Sequence, residues 1–413
     1  MPPPPSSSPP DSALSYGTNS AKDVLTSRNA MLALALIVIG LVFHALTVSR
    51  GATNPFLSAR SISTVFTQAS VIGVLACGMT FIIILTHIDL SVGSALAFLG
   101  GLAAWMMGRS AADLPEALVG SVPTGLGWPA GATILAVTGI GMILWGLKAL
   151  IQNRTGMPAF IITLGGMMGY RGLALLIVKR ERPVPTGNLV DQIGTGFIPL
   201  TLGWVVFGGV VIVGLYQVLQ ARRHRDSAWY LAWIPAGLLA SVILFLQVPH
   251  EGVLASSRGI AYLTALWAAS TIIMAFVANY SVFGRHVYAT GGNREAARLS
   301  GVPVQRVNLI AFVIMGALTA LASLMYLGQQ GTAESSAGQL AELDAIAACV
   351  IGGISLQGGR GGISGAALGA LIMQALTSGL YQCNVESGYQ FMIKAAVLVV
   401  VVAVDHLLRR TES

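Results

Sequence analysis

An all-α, polytopic membrane bundle is what this sequence predicts, and three observations carry the prediction. Hydrophobic residues make up 54% of the 413, charged residues only 9%, and the mean hydropathy is +0.75. Soluble domains carry about 25% charged residues, so this composition cannot build a water-facing surface. The 49 glycines agree, because glycine lets membrane helices approach one another closely. Apolar runs of about 20 residues, the length that crosses the hydrocarbon, recur along the chain. A soluble enzyme, a disordered protein and a nucleic-acid-binding domain are all excluded. The net charge of +7 (pI ≈ 9.5) reads as the Lys and Arg excess that holds loops on the cytoplasmic side.

Residues 1–29 are rich in Pro and Ser, with Lys22 and Arg28, and read as a disordered cytosolic tail rather than a cleaved signal. Residues 30–408 read as one transmembrane domain. Its candidate spans are 30–48, 64–85, 91–107, 133–151, 158–178, 197–219, 229–247, 260–279, 308–328, 342–356, 363–383 and 391–407. The tenth is short and ends in Gly352-Gly353, which marks it as a half-helix or re-entrant segment, so ten to twelve crossings are expected. With both termini inside and a crossing at each run, fourteen Lys and Arg fall inside and seven outside. Lys148, at the end of the 133–151 run, counts among those inside, and that two-to-one excess sets the orientation. A faint internal repeat accompanies the spans: Cys77 precedes Gly93, and Cys349 precedes Gly365, by sixteen residues each. Repeats of this kind build many transporters.

The chemistry that is missing narrows the function. No G-x-x-x-x-G-K-[ST] loop is present, so the chain holds no ATP in a P-loop, and neither H-E-x-x-H nor G-x-S-x-G occurs. Six scattered histidines and three unpaired cysteines (Cys77, Cys349 and Cys383) give no metal spacing, and the cysteines read as small core residues. No catalytic residue, metal or cofactor is therefore expected in this chain. The intramembrane carboxylates Asp89, Glu342, Asp344 and Asp405 lie at span edges, which argues against an ion-driven carrier.

Three blocks carry positive information. In Gly78-Met79-Thr80 through His87-Ile88-Asp89-Leu90-Ser91-Val92-Gly93-Ser94, two spans are joined by a tight polar break. Asp89 or Ser91 suits the free N–H groups that start the next helix, and such a break also suits the lining of a substrate path. In 291–301, Asn293 reads as an N-cap, Glu295 matches the positive helix end, Gly301 supplies a left-handed stop and Pro303 forbids continuation. Two turns are too short to stand alone. A helix so capped is expected to be received by something through its small residues Ala296 and Ala297, or else to lie in the headgroup layer. In the third block, Glu342 and Asp344 open a run that leads to Gln357, and Gly361, Gly365 and Gly369 fall at i, i+4 and i+8 as one smooth packing face.

Together these blocks resemble the permease subunit of bacterial sugar ABC importers, the ribose/xylose/arabinose/galactose group. Its Gly-Met-Thr-Phe and Ile-Asp-Leu-Ser-Val-Gly-Ser appear as Gly78 to Phe81 and Ile88 to Ser94. Its Gly-Gly-Asn-x-Glu-Ala-Ala-Arg-Leu-x-Gly block appears as Gly291 to Gly301, and its Glu-Leu-x-Ala-Ile-Ala-Ala-x-Val-Ile-Gly-Gly block as Glu342 to Gly353. The length and the apolar pair near 197–247 are most similar to the xylose-type member. Where the family usually has two glycines before Ile-Asp-Leu-Ser, this chain has Thr86-His87.

The resemblance implies a non-catalytic channel half in the bacterial inner membrane, both termini cytoplasmic, moving a monosaccharide such as the pentose xylose. It implies a separate ATPase subunit that binds the ATP, a periplasmic sugar-binding protein and a second permease copy. Within the cytoplasmic loop 281–306 it gives Gly291, Gly292, Asn293, Glu295, Ala296, Ala297, Arg298 and Gly301 the role of an ATPase-coupling helix. Asp89, Ser91, Glu342, Asp344 and Gln357 are candidates for the translocation path. The alternatives are an ABC permease for a branched-chain amino acid or nucleoside, and a secondary carrier. The charge distribution places 285–306 in the cytosol and 329–340 outside. Cysteines introduced into each loop of a cysteine-free chain should therefore label from opposite sides of the membrane, and the reverse pattern would overturn this orientation.

Overall fold

The computed structural model describes residues 28–51, 55–109, 124–223 and 259–412, so the tail through residue 27 and the 229–247 span lie outside the described residues. The rest is helical. The chain runs through α1 (Arg28–Ser49), α2 (Ala59–Ile84), α3 (Val92–Met107), α4 (Ala130–Thr155) and α5 (Ala159–Ile177). It continues through the short α6 (Leu189–Thr195), α7 (Leu200–Arg223), α8 (Tyr262–Tyr280), α9 (Val282–Gly292) and α10 (Arg294–Leu299). Then come α11 (Val304–Gln330), α12 (Ala341–Ile351), α13 (Ile363–Gln382) and α14 (Ser387–Glu412). Seven of these are long and apolar enough to cross a membrane, and shorter apolar stretches lie at Val92–Met107, Leu200–Gly209 and Ser387–Val400. The chain is a multi-pass membrane protein, and the hydropathy spans that fall within the described residues reappear as helices at nearly the expected boundaries.

α2 and α11 form the centre. α2 packs against α8, α11, α12 and α13, while α11 packs against α3, α4 and α6. The side chains between them are small or well shaped, with Trp145, Phe81, Phe312 and Met315 fully enclosed. Cys77, Cys349 and Cys383 are buried and free, as a small-core-residue reading expects. A two-residue antiparallel pair, β1 (Arg182–Pro183) with β2 (Thr332–Ala333), joins two loops that the charge distribution assigns to one side of the membrane.

α12 is a half-helix of 11 residues, as its terminal glycines suggest. It crosses α13 backbone to backbone: a Cβ on Gly365 would overlap the Gly352 carbonyl oxygen, and one on Gly369 the Ala348 carbonyl oxygen. Gly361 departs from the expected face. It lies before α13 begins, with φ +126°, against Ile354, and its carbonyl accepts a 2.8 Å hydrogen bond from Tyr288 Oη. Gly362 caps α13 in extended backbone, so the i, i+4 spacing holds helical meaning only from Gly365 onward.

This packing yields a comparison. Gly365→Ala inserts a methyl where none fits and should cost about 1–3 kcal/mol, whereas Gly172→Ala on α5 meets open space and gains up to about 1 kcal/mol of helix propensity. Thermal unfolding in detergent should show the first variant melting below the parent and the second at or above it.

Candidate functional site

α2 stops at Ile84 because the chain turns sharply at Thr86, where φ is +62°. A left-handed backbone is unusual for any side chain and strained for a β-branched one. The Thr86 methyl fits only because its neighbour Gly358 carries no Cβ. Thus Thr86, although β-branched, holds a glycine-like turn ahead of His87. The backbone then leads to Asp89, which has no exposed surface.

Asp89 gathers partners from two elements. Its Oδ1 accepts the Ser91 backbone N–H at 2.9 Å and the Ser91 hydroxyl at 2.5 Å, and its Oδ2 accepts Trp145 Nε1–H at 2.5 Å. Lys148 Nζ lies 3.9 Å from Oδ2, donates to Ser91 Oγ, and sits 3.4 Å from the Trp145 ring centre and 4.8 Å from that of Tyr170. Tyr170 stacks in turn on Trp145 and Phe98. The polar break is therefore more than a helix cap. Ser91 makes no side-chain cap bond to α3, because Asp89 and Lys148 engage its hydroxyl. Lys148 is buried inside α4 and is not a loop charge, which removes one cation from the orientation count.

A second carboxylate meets this break from α12. Glu342 is buried in the first turn of that helix, against Gly93 at the start of α3. Its Oε2 has no hydrogen-bond partner within the chain. The approach is close because Gly338 (φ +65°) and Gly93 meet through their backbones. Two interrupted helices thus start at one place, and their positive ends face Asp89 and Glu342. Interrupted helices arranged in this way form the central sites of many transporters.

Of the five path candidates, the structure brings together Asp89, Ser91 and Glu342 and leaves two elsewhere. Asp344 pairs with Lys394 of α14 at 3.3 Å, and Gln357 is exposed in the turn after α12. Trp145, Lys148 and Gln152 complete this polar cluster and were not among the sequence candidates for the path. Their i, i+3, i+7 spacing within an apolar run was the signal that could have revealed one polar face.

Toward the 291–301 block the polar network continues. Gln152 Nε2 lies 3.2 Å from His87 Nε2, and Asn308 Nδ2 donates to Gln152 Oε1 at 3.0 Å and to Asn153 Oδ1 at 2.9 Å. Beside it opens a cavity of about 310 Å³ lined by Thr86, His87, Gln152, Pro158, Phe160 and Arg294.

The block itself is two elements, not one helix. Gly291 and Gly292 end α9, and Asn293 starts α10 by accepting the Ala296 N–H at 2.9 Å. Gly301 is left-handed (φ +83°), as expected. Glu295 and Arg298 pair at 2.6 Å on the exposed side, and that hydrogen bond holds the Glu295 carboxyl below its usual range and the Arg298 guanidinium above its own.

One expectation about this block is overturned. Ala297 is only 6% exposed and faces the bundle, so the outward surface of α10 consists of Arg294, Glu295, Ala296, Arg298 and Leu299, the last 76% exposed. Gly291 is wedged so tightly that a Cβ would strike the carbonyl of Ile84, which itself accepts the Gly359 N–H at 3.0 Å.

Removing one partner of a buried pair leaves the other charged and costs about 3–5 kcal/mol. Lys148→Met should therefore lower the melting temperature more than Lys148→Met combined with Asp89→Asn, and a double-mutant cycle measures the difference.

Residues 61–402 match the family model described as branched-chain amino acid transport system / permease component. A xylose transport system permease protein of Escherichia coli strain K12 is 35% identical over 382 residues, 91% of this chain and 91% of that protein. Its counterpart in Haemophilus influenzae is 35% identical over 388 residues, 92% of this chain and 97% of that protein. A ribose import permease protein of Haemophilus influenzae is 32% identical over 361 residues, 86% of this chain and 88% of that protein. No solved structure matches the chain.

Proposed function

The chain belongs to the family of branched-chain amino acid transport system / permease components, and from that premise we propose that it is the permease subunit of an ABC importer for a monosaccharide, a pentose such as xylose. The observation that carries this reading is 35% identity to xylose permeases over nine-tenths of both chains. The protein resides in the bacterial inner membrane with both termini cytoplasmic. It works as one of two copies, receives sugar from a periplasmic binding protein, and takes its energy from a separate ATPase subunit that holds the ATP.

The chain's own residues have two tasks in this scheme. α10 offers Ala296, Leu299 and the Glu295–Arg298 pair to the ATPase. Displacement of α10 reaches Ile84 and Gly359 through Gly291, at the end of α2 and in the turn between α12 and α13. Ile84 leads directly into the break that holds Asp89 and Ser91, and Gly359 follows α12, whose opposite end carries Glu342, so motion at the cytoplasmic face alters the packing around the polar break. A second reading, transport of a branched-chain amino acid, is favoured by the description of the family model.

Proteoliposomes holding this chain, its ATPase and its binding protein should take up xylose only when ATP and all three components are present. Leucine uptake without xylose uptake would select the second reading. Leu299→Glu puts a charge where a partner would bury it, so ATPase co-purification and uptake should each fall about tenfold or more while insertion persists. Full ATPase retention in that variant would remove the coupling role of α10.

A further inference from the structure

The outer faces of the bundle are of two kinds. α1, α4, α5 and α8 expose long apolar side chains such as Leu34, Leu135, Leu176 and Ile272, the composition lipid requires. α2 differs: among its described side chains the exposed ones are Arg60, Thr64 and Gln68, at i, i+4 and i+8 on one face, with no large apolar side chain exposed beside them. On the neighbouring α13, Tyr381 is the one large apolar residue exposed, and Gln374 is half-buried.

These glutamines meet across the two helices. Gln374 Nε2 donates to Gln68 Oε1 at 2.7 Å and to Ser378 Oγ at 3.2 Å, and Ser378 Oγ donates to Gln68 Oε1 at 3.0 Å. The contacts use only the oxygen of Gln68 and the nitrogen of Gln374, so the Gln68 amide N–H groups and the Gln374 carbonyl take no partner among the described residues. Gln68 lies eight residues from Arg60, and Gln374 eight from Gln382. At 1.5 Å per residue each sits about 12 Å along its helix from that end, inside a hydrocarbon layer about 30 Å thick. Unpaired amide groups at that depth are heavily penalised against lipid and persist where they meet protein or water.

We propose that this shared face of α2 and α13 lines the sugar path, with Gln68 and Gln374 as its hydroxyl-reading groups and the second copy enclosing the other side. A free amide donor beside a free amide acceptor matches a sugar hydroxyl, which both donates and accepts. The face carries no carboxylate to hold an amino acid's ammonium group, and its single cation, Arg60, stands at the mouth. The assignment rests on the permease reading above and adds to it the residues that contact the solute in transit.

Thiol labelling in the assembled transporter tests it. With Cys77, Cys349 and Cys383 replaced, Gln68→Cys and Gln374→Cys should react with a membrane-impermeant thiol reagent, and Ile272→Cys should not. Xylose, presented by the binding protein during turnover, should slow that reaction about threefold or more. A lost hydrogen bond is worth roughly two- to tenfold, so Gln68→Leu should slow xylose uptake by that factor while the ATPase and the second copy stay bound. Cysteines as inert as Ile272→Cys, labelling indifferent to xylose, or unchanged uptake in Gln68→Leu would each overturn the proposal. So would separation of the two copies in Gln68→Leu, which would make the pair an assembly contact. A parent transporter that moves no xylose would sink the permease reading itself; a parent that moves it normally beside an indifferent Gln68→Leu would sink only this assignment.

Discussion

Asp89 is a carboxylate without solvent in the middle of an apolar bundle, and the arrangement around it depends on Lys148 being there. A lone buried charge is prohibitively costly unless it is paired and hydrogen-bonded. Here one carboxylate has an ammonium, an indole N–H, a hydroxyl and a backbone N–H within reach. Because those donors come from α4 and from the break itself, the pair fixes α4 against the start of α3. Tyr170 of α5 completes the enclosure by stacking over Trp145. With that corner fixed, non-helical backbone at 85–91 can exist inside the bundle, as Thr163 Oγ1 shows by donating to the Ile88 carbonyl at 3.1 Å.

The other half of the site is built by close approach. Gly93 against Gly338, and Gly352 against Gly365, bring α12 close to α3 and α13 without intervening side chains. This is how an 11-residue helix, too short to span hydrocarbon, is held in place. Its N-terminal end then delivers Glu342 to the break, where a longer contact residue would hold it away.

Much of this architecture was legible in sequence because length and hydropathy act locally. The spans, the half-helix ending at Gly352-Gly353 and the Asn293 cap each follow from a few neighbouring residues. What was not legible is pairing over distance. Asp89 and Lys148 are far apart in sequence, and Lys148 resembles a loop charge because it ends an apolar run. A cap motif shows where a helix starts but says nothing about which face turns inward, so Ala297 could not be distinguished from Ala296. The break's glycine-like geometry at Thr86 was hidden for a different reason: a threonine can hold that backbone when the space beside it has been cleared by Gly358.

The wedge of Gly291 against Ile84 and Gly359 has a mechanical consequence. Side-chain contacts yield under load, because rotamers swing and absorb part of any push. Peptide planes pressed against peptide planes have no such joints. A linkage made this way behaves like a gear train without backlash: under the coupling proposed for α10, a small stroke at the end of α9 would arrive at Ile84, the last residue of α2, nearly undiminished and in phase. Such a linkage also conducts in both directions, so a push arriving at Ile84 would return to Gly291 and α10 as directly as one at α10 reaches Ile84.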